Sequence, residues 1–318
     1  MAQRLTTDFE LEKPVGPVLV VLKAWQTERG PMLALTTDDL ERLLREDAPY
    51  GDLTTEALGI AGRNGTLRFV ARAKMVVAAI DEAAALLRLA GVAIGAQAAA
   101  GDIAAPGDCL LEGVGRADAL LRAWKVSQTL VEIWSGVATA TRALVDAAAA
   151  TRPDVVVACT RKNVPGTKSL AMASIKAGGA VPHRLGLSET ILVFPEHRVF
   201  RPDADLRSLV RDLKARAPEK KLVIEVNTVS EAVAAADSGF DVIQLEKFSP
   251  EAVAAVAASL SLSTPRPILA AAGGIHPENA RAYAEAGADV LVTSWPYTAR
   301  PADVTVSIAA IEPDGAKR

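Results

Sequence analysis

Apolar and polar residues show helical or strand periodicity in the first part of the chain. Thr36-Thr37-Asp38-Asp39 precedes leucines at helical spacing, which predicts a helix that ends near Asp47-Ala48-Pro49. Residues 67–72 alternate between apolar and polar and predict a half-buried strand. Residues 81–91 predict an alanine-leucine helix that closes at a glycine.

A longer helical pattern follows, from Ala117 to Ala150. The Ser135-Gly136 pair inside it predicts a break, because glycine interrupts helices. At the other end, residues 1–35 have no clean periodicity, and we predict that they form an extension.

Short apolar runs recur through the second half of the chain. They are Val155–Val157, Ile191–Val193, Leu222–Ile224, Val242–Ile243, Ile268–Leu269 and Val290–Val292. Helical patterns over 230–238, 250–260 and 277–286 separate the last four runs. Buried parallel strands joined by helices are typical of α/β proteins, and this number of units over about 140 residues predicts a closed or nearly closed α/β barrel. A doubly wound open sheet is the alternative, but no Gly-x-Gly-x-x-Gly fingerprint follows a strand.

Polar residues and glycines follow five of these apolar runs, and a histidine-arginine pair follows the apolar Val181. They are Thr160-Arg161-Lys162, His183-Arg184, Glu225, Glu246, Ala272-Gly273-Gly274 and Thr293-Ser294. In an α/β barrel the carboxyl ends of the strands open onto one mouth, where catalytic residues lie. The sequence therefore predicts a polyanion-binding active site at this mouth.

The residue types indicate how such a site would work. Arg161, Lys162 and Arg184 suit anionic groups, and the arginines suit bidentate contacts with carboxylate or phosphate. The Gly273-Gly274 turn precedes a predicted helix, whose N–H groups attract phosphate oxygens, and Thr293-Ser294 adds hydroxyls at the next strand end.

Two carboxylates, Glu225 and Glu246, indicate either a divalent cation or stabilisation of positive charge on carbon. Oxygen ligands suit Mg²⁺, which we predict as the cofactor. The histidines at 183, 197 and 276 lack zinc-ligand spacing, which excludes zinc.

Composition excludes several classes of protein. Of 318 residues, 35 are basic and 38 acidic, a net charge of −3, so no basic surface is expected for nucleic acid. With 50% hydrophobic residues the chain is not disordered, and Cys109 and Cys159 cannot form a disulfide framework. No apolar run reaches the ~20 residues of a membrane span, and acids near the start disfavour a signal peptide. We expect a cytoplasmic protein with no membrane insertion.

Linked blocks from about Leu35 to about residue 305 resemble the quinolinate phosphoribosyltransferase family. The blocks are Gly51-Asp52-Leu53-Thr54-Thr55, Ser135-Gly136-Val137-Ala138-Thr139-Ala140-Thr141, Thr160-Arg161-Lys162, Pro165-Gly166, Gly178-Gly179, His183-Arg184-Leu185-Gly186-Leu187 and Glu225-Val226-Asn227. Within that family, Trp124-Lys125-Val126 and Val292-Thr293-Ser294-Trp295-Pro296-Tyr297 resemble the ModD branch, which is encoded beside molybdate transporters.

The resemblance implies an N-terminal α/β sandwich domain over 36–135, joined by the C-terminal segment 297–318. It implies a modified, TIM-like α/β barrel over 136–296 and a homodimer in which each site is completed by the neighbouring subunit. The implied reaction is attack of a pyridine nitrogen on the anomeric carbon of phosphoribosyl pyrophosphate with Mg²⁺, releasing pyrophosphate. Quinolinate, the family's acceptor, then loses carbon dioxide.

The resemblance also implies roles by position. The acceptor-binding residues are Lys125, Arg161, His183, Arg184 and Phe194. The catalytic residues are Lys162, Glu225 and Glu246, of which the two glutamates are also the metal ligands. The phosphate-binding residues are Ala272, Gly273 and Gly274. Thr293 and Ser294 join them from the position of their strand end rather than from the resemblance.

The chain departs from the family pattern at five residues, two of which are adjacent. Lys125 replaces an arginine, Phe194 a lysine, Glu246-Lys247 an aspartate-asparagine pair, and Ala272 a serine. Phenylalanine cannot compensate a carboxylate of the quinolinate dianion, and losing one buried charge-assisted contact costs about 1.5–3 kcal/mol. We therefore predict phosphoribosyl transfer to a small anionic acceptor other than quinolinate.

Three alternatives remain open from the sequence. The protein is a quinolinate enzyme of NAD biosynthesis, a Schiff-base aldolase or isomerase using Lys162 or Lys247, or a non-catalytic module that binds a small anion such as a molybdenum-related ligand. The sequence does not identify the acceptor.

Overall fold

The computed structural model describes residues 33–312, so only the last three residues of the predicted extension 1–35 fall within it. The helices are α1 (Thr37–Asp47), α2 (Leu53–Ala57), α3 (Ile80–Ala90), α4 (Ala117–Ala149), α5 (Lys168–Ala177), α6 (Pro195–Arg198), α7 (Leu206–Arg216), α8 (Val229–Ser238), α9 (Pro250–Ser259) and α10 (Pro277–Glu285), with a 3₁₀ turn at Trp295–Thr298. The strands are β1 (Asn64–Ala71), β2 (Met75–Val76), β3 (Ala93–Gln97), β4 (Ile103–Ala104), β5 (Cys109–Arg116), β6 (Val156–Cys159), β7 (Val181–Pro182), β8 (Ile191–Val193), β9 (Leu222–Val226), β10 (Val242–Glu246), β11 (Ile268–Ala272), β12 (Val290–Thr293) and β13 (Val304–Ala310).

Helix α1 begins and ends where the sequence predicts. The Thr36 hydroxyl accepts the N–H of Asp39, and the Asp39 carboxylate accepts the N–H of Thr36, which forms a reciprocal capping box. The helix ends at Asp47, and Leu40 on its apolar stripe is buried.

Strand β1 has the predicted alternation, with Leu67, Phe69 and Ala71 buried. It lies in an antiparallel sheet of order β13-β1-β5-β3, so the C-terminal strand pairs with the first one.

Helix α3 ends at Gly91 as predicted, and this glycine has a φ of 103°. The domain limits implied by the family resemblance stay predictions.

The predicted break at Ser135-Gly136 is wrong, because helix α4 runs through it without interruption. Glycine inside a helix costs about 1 kcal/mol relative to alanine, but tertiary contacts hold this turn. The buried Ser135 hydroxyl accepts the N–H of Ala78 at 2.9 Å. A Cβ on Gly136 would lie 2.3 Å from the Arg300 carbonyl oxygen, so glycine is needed for the close approach of that segment. Within residues 33–312 no helix, α4 included, is both long and apolar enough to cross a membrane.

Seven parallel strands form the other large sheet, in the order β7-β6-β12-β11-β10-β9-β8. All six predicted apolar runs are strands of it, and α8, α9 and α10 confirm the helical patterns between them. The predicted α/β barrel-like class is confirmed in the form of a half-barrel with β7 and β8 as its edges. Strand β7 has only two residues, too few to show a periodicity, and it lies where Val181 before His183-Arg184 predicts a strand end.

Side chains on the interior face of this half-barrel are small. Ala158, Ala270, Ala272 and Val292 form a buried cluster separate from the main core, whose members are mostly larger aliphatic residues. Because alanine fills little volume, the space toward the carboxyl ends of the strands is left open.

We predict that Gly136→Ala destabilises the protein by about 1–3 kcal/mol. The new methyl group would meet backbone atoms of Arg300 and Pro301, which cannot rotate away. The measurement is the midpoint of urea unfolding. Gly62→Ala is the matched control, because a Cβ there has no neighbouring atom within 4 Å, and its effect should stay within about 0.5 kcal/mol. Equal effects of the two substitutions would contradict the importance of this close approach.

Candidate active site

A cavity of about 870 Å³ opens at the carboxyl ends of the parallel strands. All predicted site residues except Lys125 line it. They are Arg161, Lys162, His183, Arg184, Phe194, Glu225, Glu246, Ala272, Gly273, Gly274, Thr293 and Ser294. The convergence expected from strand ends is thus present in the structure, whereas the role of each residue stays a prediction.

Two arginines form the cationic side of the cavity. Arg184 is only 8% exposed, and burial, followed by the charge of Arg161, lowers the pKa of its guanidinium. Among residues 33–312, neither arginine has a hydrogen bond or ion pair with a carboxylate. A buried cation without a partner is unfavourable, so an anion bound between the two guanidiniums would relieve both burial and repulsion.

His183 lies beside these arginines but contributes no charge. Burial and the neighbouring Arg184 lower the pKa of His183 to about 4, although Glu189 acts in the opposite direction. Its imidazole is therefore neutral at pH 7 and is available only as a hydrogen-bonding group. The backbone N–H of His183 donates to the Cys159 carbonyl at 2.8 Å, which holds this residue at the end of β6.

Glu225 and Glu246 form the acidic side of the cavity. Gln244 Nε2 donates a hydrogen bond of 2.6 Å to Glu225 Oε2. Burial raises the pKa of Glu225, and the charges of Glu246 and Glu196 raise it further. The hydrogen bond from Gln244 and the charge of Lys162 act in the opposite direction. Lys162, Glu246 and Glu196 are therefore electrostatic neighbours of Glu225.

The two carboxylates fit a Mg²⁺ ion that is shared with a phosphorylated ligand. Magnesium commonly binds through one or two carboxylates together with substrate phosphates. The buried Gln244 Oε1 has no hydrogen-bond partner and is a further oxygen beside Glu225. In the described part of the chain no group of three or more His, Cys, Asp or Glu could hold a metal ion. This donor set therefore suits an ion whose remaining ligands come from substrate and water.

The turn between β11 and α10 has two glycines in the left-handed region, with φ 90° at Gly273 and 74° at Gly274. A Cβ on Gly273 would lie 2.8 Å from Lys247 Cγ and 3.2 Å from Glu246 Oε1, so a side chain does not fit. A Cβ on Gly274 would meet nothing within 4 Å. The turn thus presents open backbone at the start of a helix, as an anion-binding loop does.

The Thr293 hydroxyl has partners within the protein. It donates to the Ile275 carbonyl at 2.7 Å and accepts the N–H of Trp295 at 3.0 Å. Its proton therefore stabilises the loops at this side of the cavity, and a phosphate-binding role for Thr293 stays a prediction. The Ala272 position carries no hydroxyl, whereas the Ser294 hydroxyl lines the cavity and has no hydrogen bond within residues 33–312.

Several lining side chains lie outside the predicted set, among them Glu196, Gln244 and Trp295. The position of Gln244 could have been predicted from the sequence. Residues two apart in a strand face the same side, and Gln244 precedes Glu246 by two residues. Glu196 stands two residues after Phe194, beyond the end of β8, where the chain has left the strand pattern.

Lys125 does not line the cavity of its own chain. It lies exposed on helix α4, where its Nζ donates to Gln128 Oε1 at 3.0 Å and sits 3.9 Å from the centre of the Trp124 ring. A role in acceptor binding therefore requires a second subunit.

Comparison with known proteins identifies related sequences over most of the chain. Family models of quinolinate phosphoribosyl transferase match residues 52–135 with the N-terminal domain and 137–307 with the C-terminal domain. A Rhodobacter capsulatus protein provisionally named pyrophosphorylase ModD is 47% identical over 249 residues, covering 78% of this chain and 96% of that one. The carboxylating nicotinate-nucleotide pyrophosphorylase of Mycobacterium leprae is 31% identical over 277 residues, 85% of this chain and 96% of that one.

The fold is also similar to that of a solved structure, NadC from Streptococcus pyogenes. The TM-score is 0.81 with 23% sequence identity, over 89% of this chain and all of that one. At this identity the likeness concerns the arrangement of the sheets and helices.

We predict that Glu225→Gln stabilises the protein at neutral pH. Because the folded state raises the pKa of Glu225, the unfolded chain loses this proton first as the pH rises. Stability therefore falls from the ordinary glutamate pKa up to the raised one, and glutamine removes that loss. The measurement is the thermal midpoint between about pH 4 and about pH 8, where the gain should appear only toward the upper end.

The matched control is Glu219→Gln, an exposed glutamate before β9, which should leave the thermal midpoint unchanged at each pH. A gain from Glu225→Gln that is the same at every pH would contradict its electrostatic origin.

Proposed function

Because the chain belongs to the quinolinate phosphoribosyltransferase family of pentosyltransferases, we propose that it transfers phosphoribose from phosphoribosyl pyrophosphate to an anionic heteroaromatic acceptor other than quinolinate, releasing pyrophosphate. The supporting observation is the division of the cavity. Its donor side combines Lys162, two carboxylates and the glycine turn, whereas Phe194 is apolar where a dianion needs a cation.

The donor side suits a sugar with two anionic ends. The glycine turn offers backbone N–H groups to a phosphate, and Lys162 offers an ammonium to a pyrophosphate. Mg²⁺ held by Glu225 and Glu246 would neutralise the leaving pyrophosphate. These carboxylates also lie where they stabilise positive charge that develops on the anomeric carbon as the bond to pyrophosphate breaks.

The acceptor side suits a single carboxylate. Arg161 and Arg184 have unsatisfied positive charge, and His183 adds a neutral hydrogen-bonding group. Held there, the acceptor's ring nitrogen attacks the anomeric carbon on the face opposite the leaving group, and orientation supplies much of the rate.

Quinolinate itself is the second candidate acceptor. The observation that favours it is that Arg161, His183 and Arg184 line the cavity together. The Schiff-base alternative is weaker for Lys247, whose side chain is exposed and is not part of the cavity lining.

We predict that the protein with Mg²⁺ and phosphoribosyl pyrophosphate releases pyrophosphate in the presence of pyridine or other heteroaromatic monocarboxylates. Turnover of quinolinate, measured as carbon dioxide release, should be at least tenfold less efficient in kcat/KM, because one carboxylate lacks a cation. Efficient carbon dioxide release would identify the second candidate instead. Donor binding without pyrophosphate release under any of these conditions would support the non-catalytic module.

Variants of the donor side make this test specific. Glu246→Gln should lower kcat/KM by about a hundredfold or more, whereas Glu219→Gln should have no effect. Lys162→Arg keeps the charge but not the primary amine, so it should retain measurable transfer. Complete loss in Lys162→Arg, together with borohydride trapping of wild-type protein on a carbonyl substrate, would favour Schiff-base chemistry.

The protein is also proposed to work as a homodimer with shared sites. Lys125 is exposed and outside its own cavity, and large apolar side chains in the segments after β7 and after α6 are exposed, Leu187 by 72% and Phe200 by 84%. Covering these side chains with a second copy would bury apolar area and bring Lys125 to the neighbouring site.

We predict that mixing two inactive variants, Lys125→Ala and Glu246→Gln, restores activity. A mixed dimer has one site with neither substitution, so random exchange should recover about a quarter of the wild-type rate. Each variant alone, mixed with buffer and treated identically, is the control. Absence of recovery in dimers shown by native mass spectrometry to be mixed would contradict the shared site.

A further inference from the structure

The mouth of the cavity has a contact across the open side of the half-barrel. Strands β7 and β8 are the two edges of the sheet; Arg184 lies two residues after the end of β7, and Phe194 directly follows β8. The guanidinium carbon of Arg184 lies 5.5 Å from the centre of the Phe194 ring. This distance is within the range of a cation–π contact, which holds the buried guanidinium without neutralising it.

Phe194 is also held in place by His197, three residues later in the same loop. Its ring stacks on His197 with centroids 5.8 Å apart and planes at 24°. The backbone N–H of Phe194 donates to His197 Nδ1 at 2.9 Å, which orients the imidazole. The ring is therefore a fixed part of the cavity wall.

Three lysine or arginine side chains line the cavity in the described part of the chain. Arg161 and Arg184 are assigned to the first carboxylate and Lys162 to the donor side, so none of the three is left for a second anionic group at this wall. Phe194 and Glu225 stand level at the ends of adjacent strands, because Val193 pairs with Ile224. Glu196 also lines this side, and its charge reaches Glu225. A carboxylate placed against Phe194 would face an apolar ring and two acidic neighbours, and burying it there is costly.

We propose that Phe194 is the specificity-determining residue of the acceptor site and selects a heteroaromatic monocarboxylate. The carboxylate lies between Arg161 and Arg184, and the uncharged part of the ring packs against Phe194. This inference rests on the proposed function, and it deepens it by assigning to the Phe194 ring both a packing contact with the acceptor and control of the preference for monoanions over dianions. Flat aromatic rings gain from offset or edge contacts with a phenylalanine, which supplies affinity without charge.

The experiment measures binding of acceptor acids by calorimetry in the absence of donor. The probes are pyridine-3-carboxylate and pyridine-2-carboxylate as monoanions and pyridine-2,3-dicarboxylate as the dianion. Wild-type protein should bind at least one monoanion about tenfold or more tightly than the dianion. Phe194→Lys should raise the affinity for the dianion by about ten- to a hundredfold and reverse the preference.

Two controls separate the proposal from a general effect of charge or of altered packing. Phe194→Leu keeps an apolar wall and should keep the preference for monoanions. Thr298→Lys adds a cation at an exposed lining position in the turn after β12, not in the loop that carries Phe194, and should leave the preference unchanged. Thermal unfolding of each variant checks that it is folded.

The proposal is overturned if wild-type protein binds the dianion as tightly as the monoanions, if it binds none of the three acids, or if folded Phe194→Lys keeps the wild-type preference. The proposed transferase function is tested separately by pyrophosphate release. If the protein prefers monoanions but releases no pyrophosphate, the transferase function is contradicted, whereas the proposal that Phe194 selects monocarboxylates is still supported.

Discussion

Parallel pairing of seven strands is the constraint on which the rest of this protein depends. Every strand of a parallel sheet ends at the same edge, so side chains far apart in sequence must meet there. The register sets which of them stand level, as when Glu246 pairs with Ala272 and Thr293 with Cys159. Because the interior face above the main core is mostly alanine and valine, the level beyond it stays open as a cavity.

The same convergence creates unfavourable electrostatics in the free protein. Arg184 is buried beside Arg161, Glu225 is crowded by Glu246, and Gln244 Oε1 is buried without a partner. A bound ligand would compensate each excess of charge. An anion would lie between the two guanidiniums, and a cation would bind at the two carboxylates. Such a site lowers the free energy of unfolding of the empty protein, and ligand binding raises it again. This trade between stability and function is common at active sites.

Sequence patterns could predict the parts of the structure that depend on local order. The strands, the helices between them and the polar residues just after each strand follow from periodicity and from the geometry of parallel sheets. The continuity of helix α4 could not be predicted, because it depends on Ala78 and Arg300, which lie far from Gly136 in sequence. The use of the Thr293 proton by the Ile275 carbonyl is likewise a tertiary contact. Lys125 was grouped with the site by resemblance, and the sequence of one chain carries no information on which subunit's cavity it reaches.

The open side of the half-barrel explains how one half of the site can change while the other is kept. Glu225, Glu246 and Gly273 lie at the ends of β9, β10 and β11, which pair on both sides, so a shift of any one would disturb two neighbours. Arg184 and Phe194 follow β7 and β8, each of which pairs on one side only. Substitutions at these edges alter the wall without disturbing a ladder of hydrogen bonds on both flanks. A family that keeps its phosphoribosyl donor and changes its acceptor is therefore expected to do so at the two edge strands, where this chain has an apolar ring, Phe194, beside a buried arginine.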